Sequence, residues 1–175
     1  MSILGLILAG GASSRMGRNK VEIELGGQRL IDRAIGKLAP QVDEILLSAT
    51  QDFGTGCKFI ADEIKGEGPL SGLMAGLSYA EQQGFASMVS VAVDTPFFPD
   101  DLVKHLQPGQ FVARHYTCAH WPISCLKALK QAFQQGERRL FPVQKILGFN
   151  PIEMPEALFF NVNSPEDLIQ AKAKL

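Results

Sequence analysis

The sequence has few cysteines and no excess of charge of either sign. Its three cysteines, Cys57, Cys118 and Cys125, are odd in number, and no pair has the spacing of a zinc site. We interpret them as thiols without a metal or disulfide role, as is usual in a reducing cytoplasm. Lys and Arg total 17 against 18 Asp and Glu, a formal net charge of -1. This balance argues against partners such as nucleic acid or a membrane surface, which usually require a basic excess.

The sequence also lacks a long apolar run, a linker and an internal repeat. The first residues, MSILGLILAGG, have no basic segment, and their apolar stretch is too short to span a bilayer. They predict a strand and not a signal peptide, so we expect no membrane association and a cytoplasmic location. Because no low-complexity segment divides the chain, we predict a single domain over residues 1–175.

Short apolar runs alternate with helical patterns along the chain. Strands are predicted at residues 3–8, 44–49, 57–61, 88–93 and 110–113, and helices at 30–38, 70–83, 100–106, 122–134, 137–147 and from Ser164 onward. This order predicts a doubly wound, three-layer α/β/α fold with a mostly parallel sheet. Ligands bind beyond the carboxyl ends of the strands in such sheets. The residues that follow the predicted strands are therefore the first candidates for a site.

The segment after the first predicted strand, residues 8–20, reads LAGGASSRMGRNK. Gly10 and Gly11 let the backbone turn sharply and approach a ligand, and its free N–H groups can point at phosphate oxygens. Arg15 and Lys20 are the cations that would neutralise a triphosphate, each contributing on the order of 4 kcal/mol at about 4 Å, before desolvation. The spacing fits neither a Walker A loop nor GxGxxG. The segment predicts a phosphate-binding loop, and a flexible basic surface loop is the alternative.

Asp94 directly follows the continuous apolar run at residues 88–93, which is typical of a central strand buried on both faces. A carboxylate at this strand end would point into the crevice where a metal-bound triphosphate lies. Mg²⁺ prefers one or two carboxylates together with phosphate oxygens and water. Asp94 is therefore the candidate ligand of a magnesium cofactor, and a turn-forming Asp before Thr95 and Pro96 is the alternative.

Four later segments accompany the glycine-rich loop in a distinctive order. They are GPLSG at 68–72, VDTP at 93–96, GERR at 136–139 and FNVNSP at 160–165. Together with the loop, they resemble the nucleotidyltransferases of the molybdenum cofactor guanylyltransferase type, nearly from end to end. The resemblance implies a Rossmann-like nucleotidyltransferase fold. It also implies transfer of GMP from GTP to the phosphate of molybdopterin, the molybdenum cofactor precursor, with release of pyrophosphate.

The resemblance assigns roles to individual residues. The catalytic residues would be Arg15, Lys20 and Asp94, with Asp94 as the magnesium ligand. The nucleotide would be bound by Leu8, Ala9, Gly10, Gly11, Lys20, Ser48, Asp62 and Asp94, although Ser48 stands where the family carries asparagine. Asn161, Asn163 and Arg138 would lie on the acceptor side. For the two asparagines, hydrogen bonds of a turn or helix cap are an equal alternative. For Asp62 a solvated acidic loop is an equal alternative, and for Arg138 a solvated helix face is the usual one.

Three other functions remain open from the sequence. A cytidylyltransferase acting on the same pterin would use the same mechanism, and a sugar-phosphate nucleotidyltransferase would generally be longer. A non-catalytic module could instead deliver nucleotide or molybdopterin to molybdoenzymes or their chaperones. The metal carboxylate argues against a delivery module, and release of pyrophosphate would distinguish it from an enzyme.

Overall fold

The chain folds into alternating strands and helices. The structure is a computed structural model and describes residues 2–10, 19–61 and 68–175. In these ranges the strands are β1 (Ile3–Leu8), β2 (Glu24–Leu25), β3 (Gln28–Arg29), β4 (Glu44–Ser48), β5 (Lys58–Ile60), β6 (Ser87–Ala92), β7 (Gln110–Val112), β8 (His115–Pro122) and β9 (Asn150–Ile152). The α-helices are α1 (Leu30–Leu38), α2 (Pro69–Gln83), α3 (Leu102–His105), α4 (Leu126–Gln134), α5 (Leu140–Ile146) and α6 (Pro165–Lys172).

The main sheet has the strand order β5-β4-β1-β6-β8-β7-β9. Neighbouring strands are parallel except around β8, which runs antiparallel to both β6 and β7. β2 and β3 form a separate antiparallel ribbon. The predicted mostly parallel sheet is therefore confirmed, with one reversed strand inside it.

Apolar side chains cover both faces of the sheet. In β1, Ile7 packs in one buried cluster with Leu30 of α1, whereas Leu6 packs in a second cluster with Leu73 of α2. This division follows from the alternation of side chains along a strand, and it confirms the three-layer α/β/α fold. Among the described residues, no helix has the length and apolar character needed to cross a membrane.

Helix α2 lies very close to the sheet. A Cβ atom added at Gly76 would stand 2.8 Å from Leu6 Cδ2 and 3.0 Å from Met88 Sδ, so a larger residue would have to displace these buried side chains. Pro69 occupies the first turn of α2, and Gly84 ends it in the left-handed conformation with φ 77°. The position of Pro69 at the carboxyl edge of the sheet is thereby fixed.

Two strands of the main sheet were not predicted, and two helices begin later than predicted. Residues 115–122 form β8, and the helix predicted at 122–134 begins as a 3-10 turn at Ile123–Cys125 that continues into α4. The helix predicted at 137–147 begins later, at Leu140, and β9 was not predicted. Polar residues obscured the strand pattern of β8: buried His120 hydrogen-bonds Leu106 O at 2.8 Å and Ser87 Oγ at 2.7 Å.

Candidate active site

The carboxyl ends of four parallel strands meet at one edge of the sheet. Val93 N donates to Leu8 O at 3.1 Å and Ala9 N donates to Ser48 O at 2.9 Å, which extends the pairing of β1 with β6 and β4 beyond the strands. Ala49 N donates to Ile60 O at 2.9 Å in the same way. Leu8, Ser48 and Asp94 therefore lie along this edge, where the parallel sheet was expected to place a ligand.

A cavity of about 270 Å³ opens at this edge. It is lined by Leu8, Ala9, Gly10, Lys20, Pro69, Ala92, Val93, Asp94, Thr117 and Asn161. We call it the first cavity. It brings together most of the described residues that the sequence assigned to a nucleotide site, and it adds the amino end of α2, whose N–H groups favour anions.

Lys20 connects three separate segments at the first cavity. Its Nζ donates to Asp94 Oδ2 at 2.9 Å and also to Asn163 Oδ1. The side chains of Lys20 and Asp94 are 23% and 19% exposed, so the ion pair is only partly shielded from water. Beside it, Thr95 Oγ1 donates to Asn161 Oδ1 at 2.9 Å. A cation, a carboxylate and two amide side chains therefore converge at the ends of β1 and β6.

The start of α6 holds both asparagines in place. Val162 N donates to Asp94 O at 2.8 Å, which ties residues 161–163 to the end of β6. Ser164 and Asp167 form a reciprocal capping box. The N–H of Asn163 donates to Asp167 Oδ2 at 2.9 Å and is the main reason that the pKa of the Asp167 carboxyl is below its ordinary value. The backbone of Asn163 thus serves the cap that the sequence predicted, while its side chain reaches Lys20.

The single carboxylate that the structure describes at the first cavity suits a hard divalent cation whose other ligands are phosphate oxygens and water. Among the residues described, no three or more His, Cys, Asp or Glu side chains cluster as a metal site. Asp94 is the carboxylate that lines the first cavity. One carboxylate completed by phosphate oxygens and water is a common arrangement for Mg²⁺. Asp94 could therefore hold Mg²⁺ together with a bound triphosphate.

The remaining predicted residues lie away from the first cavity or outside the described ranges. Ser48 is buried at the end of β4 and does not line the cavity. The guanidinium of Arg138 lies 3.8 Å from the ring centroid of Phe133, and its Nη1 donates to Phe133 O at 2.7 Å. Arg138 lines a different surface depression, between α4 and α5. Three further predicted residues, Gly11, Arg15 and Asp62, lie outside the described residues.

Sequence reasoning gave no role to three residues of this site. Thr95 binds Asn161, and Pro69 and Thr117 line the first cavity. Thr95 and Pro69 belong to the VDTP and GPLSG segments, so these motifs could have indicated both residues as part of the site. Thr117 belongs to β8, which the sequence did not predict.

Solved structures with the same fold include nucleotidyltransferases. The 2-C-methyl-D-erythritol 4-phosphate cytidylyltransferase of Thermus thermophilus superposes with a TM-score of 0.71 at 17% identity, covering 99% of this chain and 98% of that one. Molybdopterin-guanine dinucleotide biosynthesis protein A from Archaeoglobus fulgidus superposes with a TM-score of 0.76 at 25% identity, covering 98% and 97%. The chain therefore has the fold of these nucleotidyltransferases.

The family follows from the sequence comparisons. A family model for the MobA-like NTP transferase domain matches residues 5–147. The molybdenum cofactor guanylyltransferase of Rhodobacter capsulatus is 38% identical, covering 100% of this chain and 97% of that protein. A protein of the same name from Cereibacter sphaeroides is 37% identical, covering 100% and 98%. The chain belongs to the MobA-like NTP transferase family, which confirms the resemblance seen in its motifs.

Proposed function

We propose that this chain transfers GMP from GTP to the phosphate of molybdopterin, giving the guanine dinucleotide cofactor and pyrophosphate. The observation that carries the proposal is the meeting of Lys20 and Asp94, 2.9 Å apart, across the carboxyl ends of β1 and β6. Relatives named molybdenum cofactor guanylyltransferase, 38% and 37% identical over the full chain, support the choice of substrates.

The triphosphate would lie in the first cavity. Gly10 presents backbone without a Cβ, and the amino end of α2 at Pro69 adds about 0.3–1 kcal/mol for a nearby negative charge. Lys20 supplies the larger electrostatic contribution because it carries a full charge on the cavity wall. Arg15, in the loop outside the described residues, is proposed to add a second cation. These groups would neutralise the pyrophosphate as it leaves.

Mg²⁺ is the proposed cofactor, and when bound it would neutralise charge on the phosphate oxygens. Asp94 would be its protein ligand. Two contacts fix this residue at the end of β6: its carbonyl accepts from Val162 N, and its Oδ2 accepts from Lys20 Nζ. The carboxylate is therefore already positioned before any ligand binds, which reduces the cost of ordering it.

The acceptor needs little help to become a nucleophile. A phosphate monoester has its second pKa near about 6 and is largely a dianion at neutral pH. One of its oxygens would form the new bond to the α-phosphorus while the bond to pyrophosphate breaks and the leaving group takes the electron pair. No proton has to be removed, and the described lining of the first cavity contains neither His nor Cys. The chain's contribution would then be positioning and charge stabilisation.

The test is pyrophosphate release measured with purified protein, molybdopterin, and GTP, CTP or ATP in turn. We expect release that requires GTP, molybdopterin and Mg²⁺ together, with the guanine dinucleotide cofactor as the coupled product. Reactions without acceptor and reactions with a chelator are the controls. A preference for CTP would contradict the choice of guanine. Binding of molybdopterin with no pyrophosphate from any nucleotide would favour a delivery module.

A further inference from the structure

A second cavity, of about 480 Å³, opens beside β7 and β9 of the main sheet. Its walls include Phe111 and Tyr116 from β7 and β8, Phe141 and Lys145 from α5, and Arg114 from the turn between β7 and β8. The volume falls within the range of about 300–1,000 Å³ that is typical of small-molecule sites. We call it the second cavity.

Three aromatic rings form one wall of the second cavity. The ring centroids of Tyr116 and Phe141 are 5.1 Å apart, and those of Phe111 and Phe141 are 6.4 Å apart with an edge-on orientation. Phe111 is buried, which anchors the group, whereas Phe141 is 47% exposed. A partly exposed ring held by one buried ring and one half-buried ring is a surface on which a planar heterocycle can stack.

The charged residues of the second cavity offer hydrogen-bond donors and one acceptor to the polar edge of a heterocycle. Arg114 and Lys145 supply two cations, and Glu153, which also lines the cavity, supplies one carboxylate that pairs with Arg114 at 3.3 Å. Arg114 has φ 68°, and it is the only non-glycine residue with positive φ in the described part of the chain. Glycine or asparagine is favoured at such a turn position, so retaining arginine there points to a role for its side chain.

The two cavities are adjacent along β8. Tyr116 lines the second cavity, and the next residue, Thr117, lines the first. The pairing of β7 with β8 is irregular between His115 and Ala119, and such a bulge interrupts the regular alternation of side chains between the two faces of the sheet, so one small molecule can contact both cavities. The second cavity is on the β8 side of the first, away from β4 and β5. A molecule bound there would approach the α-phosphorus from the side opposite those strands.

We propose that the second cavity binds the ring system of the acceptor, a fused pterin heterocycle, with Phe141 as the stacking residue. The phosphate arm of the pterin then passes Thr117 and reaches Lys20 and Asp94 in the first cavity. The role of this pterin as acceptor rests on the proposed function, but binding of the ring is a separate property of the second cavity.

The experiment measures ring binding and transfer separately. Binding is followed through the intrinsic fluorescence of a pterin that carries a phosphorylated side chain, without nucleotide, and transfer is followed with molybdopterin and GTP. We expect Phe141→Ala to raise the Kd of the pterin and the KM of molybdopterin by about tenfold, the loss typical of one stacking ring. The KM of GTP stays unchanged, and Phe141→Tyr, which keeps a ring, restores both values.

Phe59→Ala is the matched control. Phe59 is an equally exposed phenylalanine, 44% against 47% for Phe141, but it lies on β5 at the opposite edge of the sheet. It lines neither cavity. We expect its removal to leave pterin binding and both KM values unchanged. Thermal unfolding of each variant shows that the fold is retained.

The outcomes separate this inference from the proposed function. Pterin binding that depends on Phe141 supports the second cavity even when the protein releases no pyrophosphate, in which case the transfer reaction is wrong. Transfer by the wild type with an unchanged molybdopterin KM in Phe141→Ala overturns the second cavity and leaves the transfer reaction standing. Equal losses in Phe141→Ala and Phe59→Ala also overturn it, because the effect would then be independent of position.

Discussion

Replacing Asp94 with asparagine separates the electrostatic role of this residue from its structural role. At the 2.9 Å distance between Lys20 Nζ and Asp94 Oδ2, two unit charges attract by about 6 kcal/mol at an effective dielectric constant of 20, before desolvation. Exposed pairs contribute about 0–1 kcal/mol net, and breaking a buried pair costs about 3–5 kcal/mol. This pair is half-buried, and Lys20 retains Asn163 as an acceptor. We expect the free energy of unfolding to fall by about 1–2 kcal/mol.

The effect of Asp94→Asn on activity should be much larger than its effect on stability. The amide keeps the shape of the side chain but removes the negative charge that would hold Mg²⁺ against the phosphates. Loss of one positioned electrostatic group typically lowers kcat by about 100- to 1,000-fold. We expect a loss of at least about 100-fold in pyrophosphate release at saturating Mg²⁺, GTP and molybdopterin. Chemical denaturation of the same preparation gives the stability change.

Asp32→Asn provides the matched control for this prediction. Asp32 accepts from Arg29 Nε at 2.7 Å in another partly exposed ion pair, on α1, and it lines neither cavity. We expect a stability loss of up to about 1 kcal/mol and unchanged activity. Activity of Asp94→Asn within about threefold of the wild type would refute the electrostatic role of Asp94. A loss of activity in Asp32→Asn as large as that in Asp94→Asn would refute it as well.

Three further predictions concern packing, pH and thiol reactivity. Gly76→Ala should lower the free energy of unfolding by about 1–3 kcal/mol, because its Cβ would overpack α2 against the sheet. Gly36→Ala has open space around the new Cβ and should be neutral or stabilising. Urea unfolding of both variants measures these changes. Burial lowers the pKa of His120 below its ordinary value, so the unfolded chain takes up the proton more readily. The contribution of His120 to the free energy of unfolding should therefore be fully present above about pH 6.5 and be lost as the pH falls below it. His120→Gln should make the free energy of unfolding less dependent on pH in this range. An equally steep pH profile in the variant would contradict this role of His120. Burial raises the pKa of the Cys118 thiol to about 12, so an alkylating reagent should modify the half-buried Cys57 first, as mass spectrometry of the native protein would record.

The parts of the fold that follow from local patterns could be predicted from the sequence. The runs predicted at residues 3–8 and 88–93 correspond to β1 and, except for Val93, to β6, because nearly continuous apolar residues suit a sheet covered on both faces. The helix start at Ser164 follows from its hydroxyl cap and from Pro165 in the first turn. The convergence of Lys20 and Asp94 was also predictable, since both follow parallel strands whose ends share one edge.

The features that could not be predicted depend on partners distant in the chain. His120 looks unsuited to a buried strand until its ring meets Ser87 Oγ at 2.7 Å, and the indole N–H of Trp121 likewise needs Ser90 Oγ, which accepts from it at 2.8 Å. The hydrogen bond between Lys20 and Asn163 joins residues 143 positions apart, and no local pattern specifies it. The second cavity is formed in part by β8. Because the sequence did not predict this strand, it did not predict the cavity either.

The reversed strand β8 has a consequence for which molecules can serve as acceptors. Tyr116 and Thr117 are consecutive in this strand, and each lines one of the two cavities, so no hinge or loop separates the place for a ring from the place for a phosphate. The carbonyl oxygens of Tyr116 and Thr117 accept hydrogen bonds from Gln144 Nε2 at 2.8 Å and from Ser90 Oγ at 2.6 Å, and these bonds hold the spacing between the two places. A pterin with a shorter or longer arm would fill one cavity at a time. The sheet thus sets the distance between ring and phosphate that an acceptor must match.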